Sequence, residues 1–198
     1  MINNILIITG PTCSGKNIML NYLVEKYGYH SFITTTSRPM RPNEKDGLEY
    51  HFVTEEDFLN KIKESKFVEY ISYKVVSKDG INSLWYYGTE KQYFKEDTKQ
   101  VLILDPIGAS KLKDLFSSSL VTIVFLDSNE IIRKQRNISR GDYEELKFIN
   151  RNIRDIERMK NSNIFAFSKE VSYTFVNDFE NKKDFYLAID NFMKKNSK

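Results

Sequence analysis

Cysteine is almost missing: Cys13 is the one cysteine in 198 residues, so no internal disulfide framework can form. Only two histidines, His30 and His51, accompany it, which leaves too few soft ligands for a structural zinc site. No apolar run approaches the roughly 18 residues that a membrane-spanning helix needs. The first run, 5–8, is too short for a secretory signal and lacks a basic stretch ahead of it, so a cytoplasmic location and no membrane partner are expected. Neither sign of charge dominates, since 30 basic against 27 acidic residues leave +3, too little for nucleic-acid binding by bulk charge. Repeats, low-complexity tracts and long linkers are absent too, and 40% hydrophobic with 29% charged residues suits one soluble globular body.

What is present is an alternation of apolar runs and helical periods. The unbroken run 5–8 reads as a strand buried on both faces, because β-branched residues bounded by a Gly-rich loop suit that environment. Ile18, Leu20, Leu23, Val24 and Tyr27 then recur at helical spacing, and Gly28 stands where a C-cap glycine belongs. Further buried strands are expected at 100–104 and 120–126, with helical segments between, which implies a parallel sheet in an α/β fold.

Between the first helix and the strand at 100 the texture changes. Residues 34–50 are rich in Pro, Arg, Thr and Gly, and Thr54-Glu55-Glu56-Asp57 resembles a capping box opening a short helix. Segments 67–76 and 84–87 predict a hairpin, with Lys78-Asp79-Gly80 as its turn and Trp85 packing against it. Residues 34–97 are therefore read as an inserted mixed α/β subdomain. Residues 129–159 have a helical pattern broken at Ser139-Arg140-Gly141-Asp142, an arginine-dense hairpin suited to close as a lid over 136–151. The core is expected over 1–33, 98–135 and 152–198.

Gly10-Pro11-Thr12-Cys13-Ser14-Gly15-Lys16 matches a phosphate-binding P-loop through its lysine, and it lies between an expected strand and an expected helix. Glycines let the backbone fold into a nest of N–H donors, the helix N-terminus adds partial positive charge, and Lys16 would reach the β- and γ-phosphates of ATP. Cys13 reads as a small residue whose amide matters, with no histidine beside it in sequence to make it a catalytic thiol. Asn17 occupies the position where Ser or Thr would place a hydroxyl on Mg²⁺, so weakened metal binding is expected while phosphate binding is kept.

The segment from Thr34 through Arg38, Arg41 and Gly47 to Tyr50-His51-Phe52-Val53 closely resembles the acceptor-binding region of guanylate kinases, and the motifs follow in family order along nearly the whole chain. That resemblance implies a P-loop kinase that moves the γ-phosphate of ATP, with Mg²⁺, onto GMP or dGMP. It implies that Arg38, Arg41 and Tyr50 hold the acceptor phosphate and Tyr87 approaches it. Glu69, Thr34 and Thr89 would read guanine, and Asp105 would complete the GMP site. Arg136, Arg140 and Arg151 match the family's lid and transition-state arginines, whereas Arg133 and Arg154 are extra and read as exposed helix charges. Asn177 would lie near the adenine of ATP. Ile103 and Ile107 depart from the family pattern, and the connection 73–84 is longer than usual. Two other readings stay open: a guanylate kinase-like module that binds without turnover, and a related P-loop kinase for another phosphorylated small molecule. The chain is expected to act as a monomer or homodimer.

Overall fold

A computed structural model describes residues 4–41, 44–76, 82–95, 98–116, 120–141, 143–162 and 172–196. The expected turn at Lys78-Asp79-Gly80, along with Pro42, Asn43 and Asp142, lies outside the described residues. In chain order the elements are β1 (Ile5–Thr9), α1 (Lys16–Tyr27), β2 (His30–Ser31), β3 (Thr35–Thr36), β4 (His51–Phe52), α2 (Glu55–Lys63), β5 (Phe67–Val76), β6 (Asn82–Glu90), β7 (Gln100–Ile103), α3 (Pro106–Leu115), β8 (Val121–Asp127), α4 (Glu130–Ser139), α5 (Glu145–Asn161), β9 (Tyr173–Val176) and α6 (Lys182–Asn196). They fall into two compact units, Phe32–Asp97 and the remainder of the chain.

The larger unit is an α/β body on a parallel sheet of order β2-β7-β1-β8-β9. β1 is central and every one of its residues is buried, as its unbroken aliphatic run requires. Alternation splits that run: Leu6 and Ile8 join Met19 and Leu23 of α1 and Phe185, Ile189 and Met193 of α6 in one apolar cluster. α3, with Ala109 and Leu112 buried, packs on β1 and on α5. Among the described residues no helix is long and apolar enough to cross a membrane. α1 ends as expected, with Gly28 at φ 67° in the left-handed region.

The smaller unit carries a four-stranded sheet of order β4-β3-β6-β5, in which β5 and β6 form the expected hairpin and β6 runs past the predicted end to Glu90. Tyr73 pairs with Trp85 across it. At the start of α2 the Thr54 hydroxyl accepts from the Asp57 N–H at 3.0 Å, completing half of the predicted box. Gly88 is required on β6 because a Cβ there would come within 2.7 Å of the Phe67 ring and 2.9 Å of Phe58. Those rings, stacked at 4.4 Å between centroids, form the unit's apolar centre beneath the sheet.

Glu90, 2% exposed, is one of the unit's buried charges. Its carboxylate accepts from the Thr35 hydroxyl at 2.6 Å, from Lys61 Nζ at 2.9 and 3.0 Å, and from Gln92 Nε2 at 2.9 Å. Burial alone would push its pKa up; the hydrogen bonds from Thr35 and Lys61 outweigh burial and hold it below the usual value. Removing that acceptor by Glu90→Ala strands the buried Thr35 hydroxyl and should cost about 1–3 kcal/mol, seen as a fall in Tm of several degrees. Because the folded pKa is depressed, the stabilisation is complete at neutral pH. It fades as pH falls below the ordinary glutamate value of about 4.3, so the Tm gap between wild type and variant should close there.

Candidate functional site

The first functional element is the loop that leaves the carboxyl end of β1, the edge of a parallel α/β sheet where ligands are bound. Its shape depends on two glycines with positive φ, Gly10 at 141° and Gly15 at 102°. A Cβ on Gly10 would meet the Leu126 carbonyl oxygen at 2.2 Å, and one on Gly15 would meet Asn177 Nδ2 at 2.4 Å. Cys13 adopts φ 60°, and the Ser14 N–H donates back to the Pro11 carbonyl at 3.3 Å, closing the turn. Lys16 opens α1 and folds its Nζ onto the Gly10 and Pro11 carbonyls at 2.9 and 2.8 Å. Burial lowers the Lys16 pKa to about 8, with Arg133 and Arg140 pushing the same way and Asp155 and Cys13 resisting. Asn17 follows on α1 and is exposed.

The α4–α5 pair supplies the cations. Arg136 donates to the Cys13 carbonyl at 3.5 Å, the Ser128 hydroxyl at 3.2 Å, the Asn177 carbonyl at 3.0 Å and side-chain oxygen at 3.3 Å, and the Phe179 carbonyl at 3.0 Å. Burial holds its pKa below the usual guanidinium value, which still leaves a cation at neutral pH. Arg140, the C-cap of α4, is exposed and brings Nη1 to 3.7 Å from Cys13 Sγ. Arg151 lies on α5, half-buried. Asn177 is 2% exposed and donates Nδ2 to the Ser14 carbonyl at 2.8 Å, so its amide props the loop.

Arg133 corrects the reading from sequence. It is 7% exposed, not an outward charge, and its guanidinium donates to the carbonyls of Ser128 and Thr12 and to Asn152 Oδ1. Arg154 is exposed, as expected. Asp155, which the sequence gave no reason to single out, accepts from the Thr12 N–H at 2.7 Å. Asp105 caps α3 by accepting from the Gly108 N–H at 2.7 Å, and its other oxygen lies 3.8 Å from Arg158.

The remaining predicted residues belong to the smaller unit, where they make one connected surface. Arg38, 3% exposed, forms a bidentate pair with Glu44 at 2.8 and 2.9 Å, and the Arg41 N–H donates to the same carboxylate at 2.9 Å. Burial alone would lower the Arg38 pKa; Glu44 reverses that and raises it. The Arg38 guanidinium lies 5.3 Å from the ring centre of Tyr50, which in turn stands 5.8 Å edge-on to Tyr87. Burial, reinforced by Tyr87, raises the Tyr50 pKa, so its phenol remains a donor at neutral pH. Two residues along β6, on the same face as Tyr87, Thr89 donates to Glu69 Oε1 at 2.6 Å, and Glu69 is 5% exposed. Thr34 precedes β3 and its carbonyl accepts from the His51 N–H at 3.0 Å. Glu44 was missed from sequence, although its place three residues after Arg41 was a usable signal.

Among the described residues no three His, Cys, Asp or Glu side chains stand together to hold a metal ion. Asn17 is exposed and presents an amide where a hydroxyl would stand.

Comparison with known proteins bears on this arrangement. The guanylate kinase family model matches residues 2–178. A guanylate kinase of Symbiobacterium thermophilum is 32% identical over 142 residues, covering 69% of this chain and 63% of that protein. One from Helicobacter pylori is 30% identical over 192 residues, covering 94% and 85%. A rice protein, guanylate kinase 2, chloroplastic/mitochondrial, is 33% identical, but the match takes in only 46% of its length. The crystal structure of guanylate kinase from Anaplasma phagocytophilum superposes with a TM-score of 0.63 at 18% identity, over 98% of this chain and 86% of that one, which speaks to fold. Sequence and fold together place the chain in the guanylate kinase family.

Proposed function

We propose that the chain transfers the γ-phosphoryl group of ATP to GMP, giving ADP and GDP. The observation that carries this is the connected surface of the smaller unit, where an arginine pair and a phenol sit on the same sheet as a buried, oriented carboxylate. Guanidinium forks suit a phosphate, and Glu69 can accept from guanine's ring N–H and exocyclic amine together, a donor pair that adenine lacks. Thr89 fixes the rotamer of Glu69 by its hydrogen bond, and Thr34 is the second hydroxyl for the base. Asp105 belongs to the acceptor site in this reading.

ATP phosphates take N–H groups of the loop from Thr12 to Gly15, Pro11 having none to offer, and Lys16 turns from its two carbonyls to the β- and γ-phosphates. An oxygen of the GMP phosphate attacks the γ-phosphorus while the bond to the β–γ bridging oxygen breaks, leaving ADP. Arg136, Arg140 and Arg151 supply the positive charge that this step needs on the moving phosphoryl. The α4–α5 pair acts as the lid that excludes water, so that transfer outruns hydrolysis. Asn177 acts through the loop it props. Asn17 would hold Mg²⁺ through its amide oxygen, and the ion would supply neutralisation of the phosphate charge.

A panel of nucleoside monophosphates with ATP should show GMP preferred, and Glu69→Ala should lower kcat/KM for GMP by about 10–100-fold while leaving ADP binding intact. Preference for AMP or a pyrimidine nucleotide in the wild type overturns the assignment of Glu69. GMP bound tightly but never turned over, at any Mg²⁺ or Mn²⁺ concentration, would leave a binding module instead.

Asn17→Ser should restore a hydroxyl ligand and lower the Mg²⁺ concentration for half-maximal rate by about fivefold, a change on the order of 1 kcal/mol. An unchanged Mg²⁺ dependence removes Asn17 from the metal's surroundings. The lowered pKa of Lys16 sets a further expectation. The ammonium is present below about pH 8 and lost above it, so ADP affinity should be flat up to that pH and then weaken. Calorimetric titration between pH 6.5 and 9.5 measures this directly.

A further inference from the structure

Thr12 stands third in the loop, and both of its backbone polar groups are taken by the α4–α5 pair. Its carbonyl accepts from Arg133 Nη1 at 3.2 Å, and its N–H donates to Asp155 Oδ2 at 2.7 Å. The second contact joins residues 143 apart in sequence, so it is tertiary in origin and not part of the loop's own turn geometry. Its chemistry is that of a phosphate: an anionic oxygen accepting from a backbone N–H of a glycine-bounded loop at the start of a helix. Asp155 also acts on Lys16, holding on the proton that burial would remove. Within one unit of the protein, then, a carboxylate of α5 takes an amide that a nucleotide phosphate would use and bears electrostatically on the ammonium that would join it.

We propose that Asp155 is an internal stand-in for a nucleotide phosphate: without nucleotide it occupies the Thr12 N–H, and ATP or ADP must displace it to bind. This rests on the reading of the loop as the ATP site. Two anions cannot share one donor beside one lysine, so binding is a competition, and Asp155 weakens nucleotide affinity by the free energy of its own contact. Displacement also breaks one of the two ties between Thr12 and the α4–α5 pair. Arg133 keeps the other, so the pair stays attached to the loop while α5 gains freedom to move. Arg151 lies four residues before Asp155, one helical turn away on the same face. The carboxylate that leaves and the guanidinium that serves the phosphates therefore share one segment of helix.

The opposite role, a carboxylate that orders the loop for its ligand, makes the opposite prediction, so the sign of the effect decides. ADP and ATP binding are measured by titration calorimetry on the full-length wild type, Asp155→Ala and Asp155→Asn, with thermal melting to establish that each is folded. Asp155→Ala should bind ADP about tenfold more tightly. Asp155→Asn keeps an acceptor but drops the charge, and should fall between the two. Equal or weaker binding by a folded Asp155→Ala overturns the proposal; if that variant does not fold, tighter binding by Asp155→Asn supports it and equal or weaker binding overturns it. Failure of the wild type and both variants to bind either nucleotide overturns the ATP-site reading itself, whereas wild-type binding that neither variant improves overturns the stand-in alone.

Discussion

The hydrogen bond from the Asn177 side chain to the Ser14 carbonyl is the interaction on which the rest of the larger unit turns. The loop at 10–15 folds tightly enough that its carbonyls find no ladder partners and need donors from side chains. Lys16 takes the carbonyls of Gly10 and Pro11, Arg133 that of Thr12, Arg136 that of Cys13 and Asn177 that of Ser14, and Arg136 also donates to Asn177. Asn177 reaches the loop because β9 pairs with β8 and β8 with β1, so the parallel register carries a residue far along the chain to the carboxyl end of the first strand. The close fit of Gly15 against that amide is the steric side of the same constraint.

The smaller unit solves a different problem, how to keep a buried guanidinium satisfied. Glu44 does this with a bidentate pair to Arg38 and a backbone bond to Arg41, and the aromatic rings of Tyr50 and Phe52 line the guanidinium at 5.3 Å. A buried cation of this kind is tolerated because its partner is buried with it. Glu69 on β5 is held by the Thr89 hydroxyl of β6, directly across the pair of strands.

Much of this was legible in the sequence, and the reasons are specific. Aliphatic runs such as 5–8 can hardly be anything but buried strands, and Gly28 and Thr54 act through bonds within a few residues, which a reader of the sequence can reach. The family was legible because the types and order of its motif residues are distinctive. Contacts between distant segments were not: Arg133 looked like one more charge on a basic helix face, and nothing near Asp155 in sequence hints that Thr12 lies beside it. Asn177 was placed correctly in its strand end but given a ligand-facing role, while its amide is spent on the loop. Spacing along a chain reports local geometry well and tertiary hydrogen bonding poorly.

β2 and β7 are neighbours in the sheet, with His30 opposite Gln100 and the His30 N–H bonded to the Lys99 carbonyl at 2.8 Å. The chain thus departs for residues 32–97 and returns through two points held about 4.8 Å apart, one strand spacing. For the sheet, everything between those points is topologically a single loop whose closure the β2–β7 pairing has already secured. A segment attached this way can change in length and content with little entropic penalty to its host, since closure cost grows only with the logarithm of loop length. The smaller unit is in that sense an exchangeable module on a fixed chassis, free to vary in length and content without the parallel sheet being rebuilt.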